Sequence, residues 1–299
     1  MVNLTSFLLA YPPPGEISTV QLLDFFDSAP HLREVELNGV SLAPDDQNGR
    51  LVSLMCLKSL LISGDQPTSL LLDHLLIPTG ARLTTELALP LPRIEDHLPK
   101  SLGNLKSLPG FTRLRLYLAK HSSNVKVTGP NGMVSMVSTG SQVDTSGLVL
   151  GSLARLNAWM AERLKIIDRN PPSEDLPHQV LLPMKDLRTL TISRCETLPF
   201  FVQVLDPDAN PLEVLACPKL EELVLRINMK GEFDIWSVIG MAAARARWGV
   251  KLKSIRISRR GKFAPEDMLE LGKHALHVEY DSKKAGVSNA YGDSSDEED

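Results

Sequence analysis

Cys217-Pro218-Lys219-Leu220-Glu221-Glu222-Leu223-Val224-Leu225-Arg226-Ile227-Asn228 carries the clearest periodicity in this chain of 299 residues. Within it Leu220, Leu223, Leu225 and Asn228 spell L-x-x-L-x-L-x-x-N. Leu223 and Leu225 stand two apart, with Glu222, Val224 and Arg226 alternating between them. That is the pattern of a strand that buries every second side chain.

The same spacing returns along the chain as Leu32-x-x-Val35-x-Leu37, Leu57-x-x-Leu60-x-Ile62, Phe111-x-x-Leu114-x-Leu116, Leu187-x-x-Leu190-x-Ile192-x-x-Cys195 and Leu252-x-x-Ile255-x-Ile257. A looser unit closes at Leu87-x-Leu89, and a unit beginning near residue 161 puts Leu164 and Ile166 in strand slots. First positions lie 25 residues apart at the start (32 to 57) and 33 and 32 apart at the end (187 to 220 to 252). The first spacing falls at or near the length of a leucine-rich repeat, and the longer ones at the end leave room for a true helix on the outer side.

Helix signals fill the intervals. Ser18-Thr-Val-Gln21 has capping-box spacing ahead of Leu22, Leu23, Phe25 and Phe26. A second helix is expected from about Thr68 through Leu76, before Pro78. Residues 148–168 fit one long helix or a helix to about Ala158 followed by a strand, and the repeat spacing favours the second. Asp234 is placed to cap a helix reaching about Trp248, with Gly249 at its end, and Pro265 suits the first turn of another. His277-Val-Glu-Tyr280 reads as a last strand. The pattern breaks at about residues 120–147, where Val125-Lys-Val127, Gly129-Pro-Asn-Gly132 and Met133-Val134-Ser-Met136-Val137 predict an inserted hairpin.

Strand, loop and helix repeated about eight times predict an α/β fold. The expected form is a leucine-rich-repeat horseshoe solenoid, with a parallel sheet on the concave side and helices outside. The expected layout is an N-terminal flank at 1–17, one repeat domain at 18–281, and a disordered acidic tail at 282–299.

Composition agrees. Leucine supplies 50 residues and Phe, Trp and Tyr together only 15, as suits one aliphatic slot reused in each repeat. No apolar run reaches the length of a bilayer span, and Met1-Val2-Asn3-Leu4 shows no secretory start. Cys56, Cys195 and Cys217 are odd in number and far apart, which argues against a disulfide framework and for a reducing interior, cytoplasmic or nuclear. The net charge of −4 owes five acids to the tail. Over residues 1–292, 32 Lys and Arg face 31 acids, a net of +1, so a general nucleic-acid binder is not expected.

The run from Met184 to Cys195, followed by Leu198-Pro199-Phe200-Phe201 and Ala216-Cys217-Pro218-Lys219-Leu220-Glu221-Glu222-Leu223, resembles fungal F-box proteins with C-terminal leucine-rich repeats. The likeness covers most of residues 20–280. It implies a protein-recognition module whose repeats choose the substrate of a cullin-RING ubiquitin ligase. No Leu-Pro-x-Glu-type F-box is seen ahead of the first unit, so no adaptor-binding residue is assigned. Docking to the ligase adaptor is expected only if an F-box stands upstream. The alternative is a free-standing scaffold for an acidic or phosphorylated partner.

Candidate sites follow from the outward strand positions. Arg113, Arg115, Tyr117, Glu222, Arg226 and Arg256 are the expected partner-binding residues, because Arg and Tyr favour interface anchors. Arg245, Arg247, Lys251, Lys253, Arg259 and Arg260 form a run with no acid between 235 and 264, an expected basic patch. Ser294 and Ser295 precede acids and are candidate phosphorylation sites. His274-Ala-Leu-His277 lacks a third ligand of fitting spacing, so no metal is expected. Phosphate-loop and nucleophile-elbow motifs are also missing, so neither cofactor nor catalysis is expected.

Overall fold

The computed structural model describes residues 4–12, 17–40, 42–43, 50–88, 93–106, 110–119, 121–139, 145–168, 175–193, 198–209, 214–227, 234–259 and 263–281. Among the described residues twelve strands form one sheet. They are β1 (Ser6–Ala10), β2 (Glu34–Asn38), β3 (Ser59–Gly64), β4 (Arg82–Leu87), β5 (Arg113–Ala119) and β6 (Ser122–Gly129). Then come β7 (Gly132–Thr139), β8 (Arg163–Asp168), β9 (Thr189–Ser193), β10 (Glu222–Ile227), β11 (Leu252–Arg259) and β12 (Ala275–Asp281). Their spatial order is β1-β2-β3-β4-β7-β6-β5-β8-β9-β10-β11-β12. Every pairing is parallel except those of β6 with β5 and β7.

Alternation sets the two faces. Val35 and Leu37, Leu60 and Ile62, Leu114 and Leu116, Leu164 and Ile166, Leu190 and Ile192, Leu223 and Leu225, and Ile255 and Ile257 all point to one side and are buried. Helices cover that side: α1 (Thr19–Ser28), α2 (Ser69–Leu72), α3 (Ile94–His97), α4 (Thr145–Arg155), α5 (Leu176–Leu181), α6 (Leu198–Leu205), α7 (Ile235–Arg247) and α8 (Pro265–His274). Strand and helix residues join a single apolar core running from Leu22 to Ala275. No helix among the described residues is long and apolar enough to cross a membrane.

Local signals act as the sequence implies. Ser18 accepts from the Gln21 N–H at 3.2 Å while the Gln21 side chain accepts from the Ser18 N–H at 3.0 Å, closing the capping box of α1. Asp234 accepts from the Trp236 N–H at 2.9 Å to start α7, and Gly249 ends it at φ +78°.

Several expectations are corrected. The third strand runs Arg82–Leu87, with Leu83 beside Leu60 and Thr85 beside Ile62, so Leu87 ends it, and Leu89 of the expected Leu87-x-Leu89 lies outside the described residues. A threonine in an inward slot hid the period. The helix expected to run to Leu76 stops at Leu72, because Leu75–Leu76 instead pairs with Val52–Ser53. The segment assigned to an N-terminal flank supplies β1, which extends the sheet beyond β2. Helix α4 ends at Arg155, and left-handed Asn157 (φ 50°) leads through a single 3-10 turn into β8. The expected acidic tail lies outside the described residues.

The hairpin of β6 and β7 is inserted into the sheet itself rather than hung from it. Strand β5 lands two strands beyond the edge of β4, and β6 and β7 fill the gap. Two tight contacts seat it. The Asn131 carbonyl accepts from the Gly80 N–H at 2.6 Å. A Cβ on Gly129 would stand 2.6 Å from the Gly110 carbonyl oxygen, so only glycine allows that approach.

His97, fully buried at the end of α3, ties this insertion to the first half. Its Nδ1 is 2.8 Å from Thr85 Oγ1 on β4 and its Nε2 is 2.8 Å from Ser138 Oγ on β7. A neutral ring donates from one nitrogen and accepts at the other, so one hydroxyl accepts and the other donates. Burial lowers the imidazole pKa from 6.5 to about 4. Above pH 6.5 the ring is neutral in folded and unfolded chains alike. Between pH 6.5 and about 4 the unfolded chain takes up the proton and the folded one does not. Stability therefore falls across that window, by about 3 kcal/mol for this residue. Urea unfolding of wild type and His97→Gln at pH 7 and pH 4 checks it: the variant is expected to lose about 3 kcal/mol less on acidification.

Candidate functional surface

A mostly parallel sheet is normally covered on both faces. Here one face carries helices and the other is open, lined by side chains that are exposed or half-buried apart from the small buried Ser135 and Ser193. The register assembles that open face into three rows running across the strands. The first row reads Ser6, Glu34, Ser59, Arg82, Met133, Thr128, Arg113, Arg163, Thr189, Glu222, Ser254 and His277. The second reads Leu8, Glu36, Leu61, Thr84, Ser135, Lys126, Arg115, Lys165, Thr191, Val224, Arg256 and Glu279. The third ends in Val137, Asn124, Tyr117, Ile167, Ser193, Arg226, Ser258 and Asp281.

Charge is segregated along these rows. Strands β2 and β4 present Glu34, Glu36 and Glu86. The centre presents Lys126 on β6, Arg113 and Arg115 on β5, and Arg163 and Lys165 on β8. Adjacent strands lie about 4.8 Å apart and alternate residues of one strand about 7 Å, so the five cations start from a patch of about 10 by 7 Å. No carboxylate points to the open face from β6, β5 or β8, nor from their neighbours β7 and β9, among the described residues. Arg113, Arg115, Lys126 and Arg163 have no side-chain partner among the described residues. Like charges directly opposite one another weaken a sheet by a few tenths of a kcal/mol per pair.

At the C-terminal end the charges are matched instead. Arg256 lies between Glu222 at 3.0 Å and Glu279 at 3.5 Å, and Glu221 is held by Lys253 at 2.9 Å and Arg188 at 3.5 Å. The Lys253 hydrogen bond keeps the Glu221 carboxyl below its ordinary range. The open face also has a depression of about 760 Å³ over β1 to β4, lined by Leu8, Glu34, Glu36, Ser59, Leu61 and Arg82.

The six expected partner-binding residues thus fall into two groups. Arg113, Arg115 and Tyr117 follow one another along β5, while Glu222, Arg226 and Arg256 sit on β10 and β11. Sequence reasoning missed Lys126, Arg163 and Lys165. The last two were within reach, because assigning Leu164 and Ile166 inward already turns Arg163 and Lys165 outward.

The expected basic patch loses Arg245, and Arg247 and Lys253 are paired with acids. Arg245 is fully buried, and its guanidinium donates to the carbonyls of Ala216 and Cys217 at 3.0 Å and of Leu205 at 3.4 Å. It closes the end of α6 and the turn before β10. Arg247 pairs with Asp208, which also accepts from the Trp248 indole at 2.9 Å. Lys251 donates to the Lys273 carbonyl at 3.1 Å, Lys253 pairs with Glu221, and Arg259 lies 5.5 Å above the Phe263 ring. The run has no acid in sequence, but neighbouring units supply them. Arg260, Ser294 and Ser295 lie outside the described residues, as do Cys195 and Asn228.

Of the two described free cysteines, Cys56 is exposed and Cys217 is not. Cys217 sits fully buried in a left-handed turn (φ 46°), with its thiol toward the Leu181 carbonyl at 3.2 Å. Burial pushes the thiol up to about 12, far from a nucleophile's range. His274 lies 3.5 Å from Glu270, and among the described residues no three of His, Cys, Asp and Glu cluster as a metal would require. Comparisons with protein-family models, curated proteins and solved structures give no match.

Arg245 and Arg247 make a direct contrast. Arg245→Met leaves the Leu205 and Ala216 carbonyls without their donor, while the Cys217 carbonyl keeps the Leu220 N–H at 3.0 Å, and it is expected to cost about 3 kcal/mol, whereas Arg247→Met at the surface should cost under about 1 kcal/mol. Urea unfolding of both variants at pH 7 measures the difference.

Proposed function

We propose that the chain is a leucine-rich-repeat horseshoe acting as a protein-recognition module, without catalysis of its own. The observation that carries this reading is the open face: a broad, polar, register-defined surface on a sheet whose other side is fully packed. The repeated L-x-x-L-x-L spacing and the parallel ladder it builds support the repeat assignment. The resemblance to the substrate-binding repeats of F-box proteins supports a role in choosing a ubiquitin-ligase substrate, with the adaptor engaged only through an F-box upstream.

A second reading is a free-standing scaffold for an acidic or phosphorylated partner, with no link to ubiquitin. The unpartnered central cations favour it.

Site-specific photocrosslinking in cells tests the reading. Benzoylphenylalanine at Thr84 or Thr191 on the open face is expected to trap a discrete partner, and at Trp236 or Leu269 on the helical side it should not. Crosslinks from the helical positions alone would overturn the proposal. Depleting the chain then separates the two readings. Accumulation of the trapped partner supports ligase-substrate selection, and an unchanged level supports the scaffold.

A further inference from the structure

We infer that the block of Lys126, Arg113, Arg115 and Arg163 is the docking site for an extended, carboxylate-rich segment of a protein partner. The inference rests on the recognition reading above and gives that partner a chemistry.

The geometry favours this ligand over others. Arg113 and Arg115 stand about 7 Å apart along β5, the repeat at which an extended peptide presents alternate side chains on one side. Lys126 and Arg163 flank them one strand away on either hand. Several carboxylates spaced along a segment can therefore each meet a cation, and Arg does so with two parallel hydrogen bonds. A single phosphate would need donors converging on a point, together with free backbone N–H groups. The interior backbone here is committed to the ladder on both sides. Asn124, Tyr117 and Ile167 border the block in the next row, with Val137 beyond Asn124, so the segment carries an apolar residue beside its acids near Tyr117 and Ile167.

Nucleic acid fits less well. A polyanion running across the face would meet Glu34, Glu36 and Glu86 at one end and Glu222 and Glu279 at the other. Tyr117 is the one aromatic side chain on the open face of β5, β6 and β8. Base stacking and a continuous basic track are what such ligands need.

The test uses the full chain and a fluorescent ten-residue peptide of alternating Glu and Leu, followed by anisotropy. The peptide is expected to bind, and about tenfold or more more weakly when salt rises from about 50 to about 300 mM. Arg113→Gln with Arg163→Gln should weaken it about tenfold or more, while Arg226→Gln with Arg256→Gln changes it less than about twofold. Thermal melts keep the test fair: the first pair should melt no lower than wild type, because it relieves like-charge opposition. No binding, or equal loss in both pairs, overturns the inference. So does tighter binding of single-stranded RNA, or peptide binding that emerges only when residues 293–299 are removed, which would make the chain's own acids the occupant. If the peptide fails while crosslinks still map to the open face, the recognition reading stands and this inference alone falls. If the crosslinks leave that face, both fall.

Discussion

Registration of the parallel ladder governs everything else in this molecule. Because side chains alternate, a slip of one residue in any strand would turn its leucines to water and its charges into the core. Leu223 beside Leu190 and Ile255, and Leu114 beside Leu164, fix the inward set. The outward set is then determined with no further choice. The core and the open face are two consequences of one hydrogen-bond pattern, so burial of aliphatic side chains on one side positions charged groups on the other.

The β6–β7 hairpin shows how much one departure from repetition can do. Without it β4 would neighbour β5, and Thr84 rather than Lys126 would stand beside Arg115. Insertion of the hairpin supplies the fourth unpartnered cation and separates the central block from Glu86. Keeping two extra strands inside the sheet requires internal anchors, and the anchors are polar. His97 spans Thr85 and Ser138, while the Ser123 hydroxyl next to Ser138 has no partner among the described residues. A buried network of this kind fixes a unique arrangement and makes it sensitive to protonation.

Strand positions were legible in the sequence wherever both inward slots were aliphatic, as at Leu223 and Leu225 or Leu114 and Leu116. The third unit was misplaced because Thr85 occupies a slot that its sequence neighbours give no reason to think satisfied; His97, twelve residues on, provides the reason. The caps of α1 and α7 were legible because they are local. Arg245 was not. Nothing in Ala-Ala-Arg-Ala-Arg distinguishes the arginine that enters the core from the one two residues later that stays out. That difference comes from carbonyls 28 to 40 residues away. The F-box likeness and the leucine-rich-repeat horseshoe remain readings of sequence pattern, with a large, mostly parallel α/β sheet as the structural fact beneath them.

Two treatments of charge coexist on one face, and their contrast bears on function. Across β10, β11 and β12, Glu222, Arg256 and Glu279 alternate in sign, an arrangement that supports the sheet. Across β6, β5 and β8, Lys126, Arg115 and Lys165 repeat the same sign in one row, and Arg113 and Arg163 repeat it in the next. Folding alone gains nothing from the second arrangement, since a single Glu at position 115 or 163 would turn repulsion into attraction. A surface that accepts this cost offers strong positive potential to whatever approaches it, and a ligand bearing carboxylates relieves the repulsion as it binds. Part of the affinity of the proposed segment would then come from Arg113, Arg115, Lys126 and Arg163, whose charge no side chain matches among the described residues.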